Sequence, residues 1–151
     1  MRIAVGSDHR GVELKQAIIG LLKGLGHEHH DFGCYSADSV DYPDIAKEVA
    51  LAVSAGKFDH GMLFCSSGIG MSIAANKVKG VRAALCCNLL SAERARLHND
   101  ANVLCLGQDI VGHDMALDIV RIYLSTAFEG GRHLRRIEKI RGIEADLLDK
   151  G

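Results

Sequence analysis

Short, wholly apolar runs that alternate with longer amphipathic stripes constrain this chain more than any other feature. Residues 61–65 read Gly-Met-Leu-Phe-Cys and residues 103–106 read Val-Leu-Cys-Leu, with no charged or strongly polar side chain in either. A strand apolar on both faces is covered on both faces, the property of an interior strand in a parallel sheet. Further strands are expected at 2–6, 81–87 and, more weakly, 28–32. Between them, Val12, Leu14, Ile18, Leu21, Leu22 and Leu25 recur at helical spacing, and Gly24 and Gly26 supply a stop. Ile45, Val49 and Val53 share one face of a second helix that has Pro43 in its first turn. Short helices are expected over 71–77 and 91–98, and a longer one over 115–124. A chain of 151 residues has room for one domain and not for a (β/α)8 barrel of roughly 250. The fold expected is α/β: a doubly wound five-stranded parallel sheet in the flavodoxin-like order 2-1-3-4-5, forming a single domain over 1–151.

The C-terminal part does not continue the alternation. Glu129-Gly130-Gly131 breaks the chain, and a C-terminal helical arm is expected at about 130–148, with Leu134, Ile137, Ile140, Ile143 and Leu147 as its apolar stripe. The stripe either folds back on its own domain or lies across a second copy. A C2 dimer is the preferred reading.

Eighteen Lys and Arg against nineteen Asp and Glu leave a formal charge of −1, so the chain has no general attraction for nucleic acid or anionic membrane. Aromatic residues at 5% and no Trp offer few platforms for stacking bases. No apolar run approaches the roughly 18 residues of a membrane span, and residues 1–10 lack a signal-peptide pattern. A cytoplasmic location is expected. The five cysteines form no Cys-x-x-Cys pair, which argues against a disulfide framework and against structural zinc. His27, His29 and His30 read as surface residues of the weak second strand, and no metal is expected.

Ligands of open α/β sheets bind at the carboxyl ends of the strands. Two segments there carry chemistry: Ser7-Asp8-His9-Arg10-Gly11 after the first strand, and Cys65-Ser66-Ser67-Gly68-Ile69-Gly70 after the third. The second opens a helix, so its backbone N–H groups suit an anion, and a thiol placed there is a candidate nucleophile or base. The competing reading is a buried strand end followed by a tight turn. Asp8 equally suits a helix cap. His98-Asn99-Asp100 reads first as the end of a helix, where the dipole favours His. Arg132 and Arg136 lie four apart on the arm, one helical face, and either form a solvated face or clamp a phosphate.

These segments together resemble the ribose-5-phosphate isomerase type B family, which includes galactose- and allose-6-phosphate isomerases. The resemblance rests on Ser7-Asp8-His9, Asp41-Tyr42-Pro43, Cys65 to Gly70 with Ile73-Ala74-Ala75-Asn76-Lys77, His98-Asn99-Asp100-Ala101-Asn102 and Glu129-Gly130-Gly131-Arg132-His133. It implies an aldose–ketose isomerase without metal or cofactor, working as a homodimer or dimer of dimers with shared active sites. It implies Cys65 as the base that moves a proton between C2 and C1 through a cis-enediolate. His98 becomes the ring-opening acid/base, supplied by the partner subunit, and Asp8 a polar group of the sugar site. Ser67, Asn99 and the backbone of Ser66, Gly68, Ile69 and Gly70 would hold the enediolate. His9, Arg132 and Arg136 would hold the phosphate, and Tyr42 would line the sugar pocket. One subfamily uses a Glu where this chain has Met71, which leaves Cys65 as the base. Two departures stand out: the turn reads Cys65-Ser66-Ser67-Gly68 where the family usually has Cys-Gly-Thr-Gly, and Asp109 occupies a position where many members carry Arg. Ribose 5-phosphate is the substrate the resemblance favours. A six-carbon aldose 6-phosphate, or a non-catalytic flavodoxin-like binding module, are the alternatives.

Overall fold

A computed structural model describes residues 1–148, with side-chain surroundings described through Asp146, so the place of Leu147 in the arm's stripe lies outside the described residues. The elements are β1 (Arg2–Ser7), α1 (Val12–Gly24), β2 (Glu28–Asp31), α2 (Tyr42–Ser54), β3 (His60–Cys65), α3 (Ile69–Ala75), β4 (Ala83–Leu85), α4 (Leu89–Leu97), β5 (Val103–Gly107), α5 (His113–Ser125) and α6 (Arg132–Leu148). All sheet pairings are parallel. No described helix is long and apolar enough to cross a membrane.

The expected doubly wound sheet is present, but its order is β2-β1-β3-β5-β4 rather than 2-1-3-4-5. The physical reason lies in the strands themselves. β5 is buried along its whole length, whereas β4 has shrunk from the expected 81–87 to three half-buried residues. The longer, fully apolar strand takes the interior place beside β3, and the short one takes the edge, where few backbone groups are left unpaired. With right-handed crossovers, stepping outward to β4 and back to β5 puts α4 on the opposite face from α3.

The core divides accordingly. Ile3, Val5, Met62, Phe64, Leu104 and Leu106 point to one face, against α1, α4 and α5. The alternate residues Ala4, Leu63, Cys65, Val103 and Cys105 point to the other, against α2 and α3. Strand alternation sends neighbouring side chains to opposite faces. Lys15 of α1 is fully buried, yet its ammonium is paired: Nζ lies 2.7 Å from Asp31 Oδ1 and donates to the Cys34 carbonyl. This pair fastens the loop after β2 to α1.

The arm folds against its own domain along one narrow edge. His133 and Ile137 are buried, and the Glu144 carboxylate accepts the Gly80 N–H at 3.1 Å. Leu134, Ile140 and Ile143 remain exposed.

Candidate active site

Three loops meet at the carboxyl ends of β1, β3 and β5. The Asp8 N–H donates to the Phe64 carbonyl at 3.1 Å, joining the first loop to the second. The Gln108 and Asp109 N–H groups donate to the carbonyls of Cys65 and Ser66, both at 2.9 Å, joining the second to the third. The approach is close enough to require glycine. A Cβ on Gly107 would lie 2.5 Å from the Ser67 carbonyl carbon, and one on Gly11 would lie 2.6 Å from the Phe64 backbone. Gly107→Ala therefore pries the Cys65 turn from β5, with an expected loss of about 1–3 kcal/mol in denaturant unfolding together with reduced activity. Unchanged stability and turnover would mean that the turn yields easily.

Within this cluster Cys65 ends β3, and its Sγ accepts the Gly68 N–H at 3.0 Å. Gly68 has φ +75°, the left-handed turn that swings this N–H back onto the sulfur. The Ile69 N–H donates to Ser67 Oγ at 3.3 Å. Gly70 and Met71 lie in the first turn of α3, where backbone N–H groups have no intrahelical acceptor. Gly70 lacks a Cβ where the Tyr42 ring packs, since a Cβ there would lie 2.6 Å from that ring. Tyr42, in the first turn of α2, is thereby set against the thiol loop. Burial pushes Cys105 well above the usual thiol value and Cys86 up to about 11.

Asp8 does what a turn carboxylate does: Oδ1 accepts the N–H groups of Arg10 at 2.9 Å and Gly11 at 3.1 Å. Both bonds fall on one oxygen, which leaves Oδ2 for a ligand. Beside it His9 Nδ1 accepts the Val40 N–H at 3.3 Å. His9, Arg10, Glu13, Tyr35, Gln108 and Asp109 border a cavity of about 480 Å³. Across its walls Arg10 faces two acids, Glu13 and Asp109.

The remaining expected residues are elsewhere. His98 caps α4, and Asn99 follows it, both preceding β5. They sit at the amino end of the strand whose carboxyl end touches Ser67, a separation of about 17 Å along five strand residues. Arg132 starts α6 beside them, since the Glu129 N–H donates to the Leu97 carbonyl at 3.0 Å, and Arg136 is exposed one turn on. One chain therefore brings together Asp8, His9, Tyr42 and the Cys65–Gly70 loop, and does not bring His98, Asn99, Arg132 or Arg136 to them.

The second group is firmly held. Asp100 has φ +44°, unusual for a residue with a side chain. Its backbone carbonyl and Oδ2 accept from Arg82 Nη2 at 2.8 and 3.1 Å, and its Oδ1 accepts from Arg96 at 2.8 Å. Arg82 Nε also donates to the Asn99 carbonyl at 3.0 Å. The His98 ring stacks on His133, with centroids 4.2 Å apart and planes at 11°. Partial desolvation, with His133 and Arg94 beside it, holds His98 below the usual imidazole value. Glu129 and His133 were not among the expected site residues. Their signal was the double glycine between them, which folds a carboxylate back onto a histidine.

His98, Glu129 and His133 place ligand-type atoms within 4.8 Å of one another. The rings are nearly parallel, however, so their nitrogen lone pairs run side by side instead of converging. This arrangement does not fit a metal ion.

A family model described as ribose/galactose isomerase matches residues 3–140. The chain belongs to the ribose/galactose isomerase family. Ribose-5-phosphate isomerase B of Escherichia coli is 47% identical over 143 residues, covering 95% of this chain and 96% of that protein. The structure of Clostridium thermocellum ribose-5-phosphate isomerase B superposes with a TM-score of 0.96 at 51% identity, covering 97% of this chain and 99% of that one. The Mycoplasma genitalium ribose-5-phosphate isomerase B structure, which holds bound ribulose 5-phosphate, gives a TM-score of 0.92 at 44% identity, covering 95% and 96%. Membership in the ribose/galactose isomerase family thus spans nearly the whole chain, including both rims of the sheet.

Proposed function

We propose that this chain interconverts D-ribose 5-phosphate and D-ribulose 5-phosphate in the cytosol, with Cys65 as the base. The observation that carries the reading is the thiol loop: a sulfur at the mouth of an interior strand, accepting a backbone N–H, with further N–H groups and a serine hydroxyl around it. Five free thiols, four of them buried, suit a reducing compartment.

The sugar enters as a furanose, so its C1–O4 bond opens first. His98 moves the O1 hydroxyl proton to O4, giving the open aldehyde. The Cys65 thiolate then takes the proton from C2 while charge develops on O1. The resulting cis-enediolate accepts hydrogen bonds from the Ser67 hydroxyl, Asn99 and the Ser66–Gly70 backbone. Each such donor is worth about 3–4 kcal/mol. Cys65 returns the proton to C1, the O2 proton passes to O1, and the ketose results. Asp8 and Tyr42 hold the sugar hydroxyls, and His9, Arg132 and Arg136 hold the phosphate. The two arginines supply the positive charge that the His9 cavity lacks in one chain.

This chemistry needs both rims of the sheet in one place, and two chains provide that. The chain acts as a single domain over 1–151, with about 130–148 as its dimerisation arm, in a homodimer or dimer of dimers. A groove of about 660 Å³ lined by Ala83, Ala84, Leu85, Ile140 and Ile143 gives an apolar surface for the second copy to cover.

Proton NMR in D2O tests the reaction. Ribose 5-phosphate is expected to yield ribulose 5-phosphate carrying deuterium at C1. Turnover of allose 6-phosphate alone would overturn the five-carbon assignment in favour of a six-carbon one.

A further inference from the structure

The Glu129-Gly130-Gly131-Arg132-His133 segment holds more than its arginine. Gly130 and Gly131 both adopt left-handed φ, +72° and +55°, which reverses the chain within two residues. The reversal brings Glu129 Oε2 to 3.1 Å from His133 Nε2. The His133 N–H donates to the Gly130 carbonyl at 3.0 Å, and the Glu129 N–H to Leu97, one residue before His98. His133 is only 4% exposed, one of four polar or charged residues so deeply buried among those described. A buried imidazole carries a specific cost unless it is paired, and the Glu129 carboxylate supplies the pairing. The unpaired face of that ring is the surface on which His98 lies.

The other side of His98 is also specified. Arg94 Nη1 lies 3.3 Å from His98 Nε2, whereas the Glu129 oxygen is 3.8 Å from the same atom. A guanidinium only donates, so at hydrogen-bond distance Nε2 is the acceptor and the neutral ring carries its proton on Nδ1. His98 is thus fixed by a flat ring on one face and a cation at one nitrogen, with its N–H directed away from both.

We propose that Glu129 and His133 are positioning residues for His98: the carboxylate fixes the His133 ring, and that ring presents His98 in the orientation that opens the sugar. The inference rests on the isomerase reading above. It separates two steps that a general structural role would not. Ribulose 5-phosphate cannot close a furanose ring, because its C5 oxygen carries the phosphate. Exchange of its C1 proton with solvent therefore requires enediolate formation and no ring chemistry. Isomerisation of ribose 5-phosphate requires both.

The test measures both reactions for the full-length wild type, Glu129→Ala, Glu129→Gln and His98→Ala, with thermal melting of each. In Glu129→Ala, kcat/KM for ribose 5-phosphate is expected to fall about tenfold or more, while C1 exchange into ribulose 5-phosphate stays within about twofold of wild type. In His98→Ala the fall in ribose 5-phosphate isomerisation is expected to be deeper. Glu129→Gln, which keeps a side chain of the same length and shape against the His133 ring, restores most of the loss. An equal fall in both reactions, or no fall in either, overturns the positioning role. A wild type that performs neither reaction overturns the isomerase reading itself, and this inference with it.

Discussion

In D2O with Cys65→Ala, ribose 5-phosphate keeps its C2 proton, and its conversion falls by about 10²–10⁴-fold. The size of the effect follows from what remains at the site. Met71 at the head of α3 carries no proton-accepting group. Cys105, on the same face of the sheet, and Cys86 are held as neutral thiols by burial. Asp8 has already spent one oxygen on its own turn. No neighbouring group takes over the C2 proton. Cys65→Ser is the sharper control. Its hydroxyl still accepts the Gly68 N–H and keeps the turn closed, so any loss reads as lost basicity and not lost structure. Substantial turnover by either variant would keep the reaction and remove Cys65 as its base.

Mixing two dead proteins is expected to produce a live one. In the proposed dimer Cys65→Ala and His98→Ala each lack half of every site, because β5 separates the two groups by its own length within a chain. After subunit exchange at equal concentrations, half of the dimers are mixed. Each mixed dimer has one site with both groups intact, so activity returns to about a quarter of wild type. Sites built within single chains would give no recovery at all. Measuring recovery after co-refolding or co-expression decides between the two architectures.

The strand and helix pattern was legible because β1, β3 and β5 have no choice: a run such as Met62-Leu63-Phe64 is apolar on both faces and must be sandwiched. The order of β4 and β5 was not legible from hydrophobicity in 81–87, since most of that run stays irregular. Only pairing through Ala83–Leu85 makes it an edge. The Cys65 loop was visible because a thiol, two serines and two glycines at a strand-to-helix junction have a chemical meaning together. The Glu129–His133 pair was obscure for the opposite reason. An exposed acid and a histidine in a basic stretch look like solvated residues until two left-handed glycines bring them into contact. The helix of the arm was legible from its spacing, but which of its apolar residues are covered, Ile137 and not Ile140 or Ile143, depends on what the rest of the fold leaves uncovered.

The placement of Cys65 and His98 at opposite rims of one sheet has a genetic consequence. In the proposed shared-site dimer, a chain carrying both Cys65→Ala and His98→Ala would spoil two sites whenever it paired with a normal copy, one by its missing thiol and one by its missing imidazole. A chain carrying either change alone spoils only one. In a cell making equal amounts of normal and doubly altered chains, activity would track the square of the normal fraction, so such an allele would act dominantly where each single allele would not.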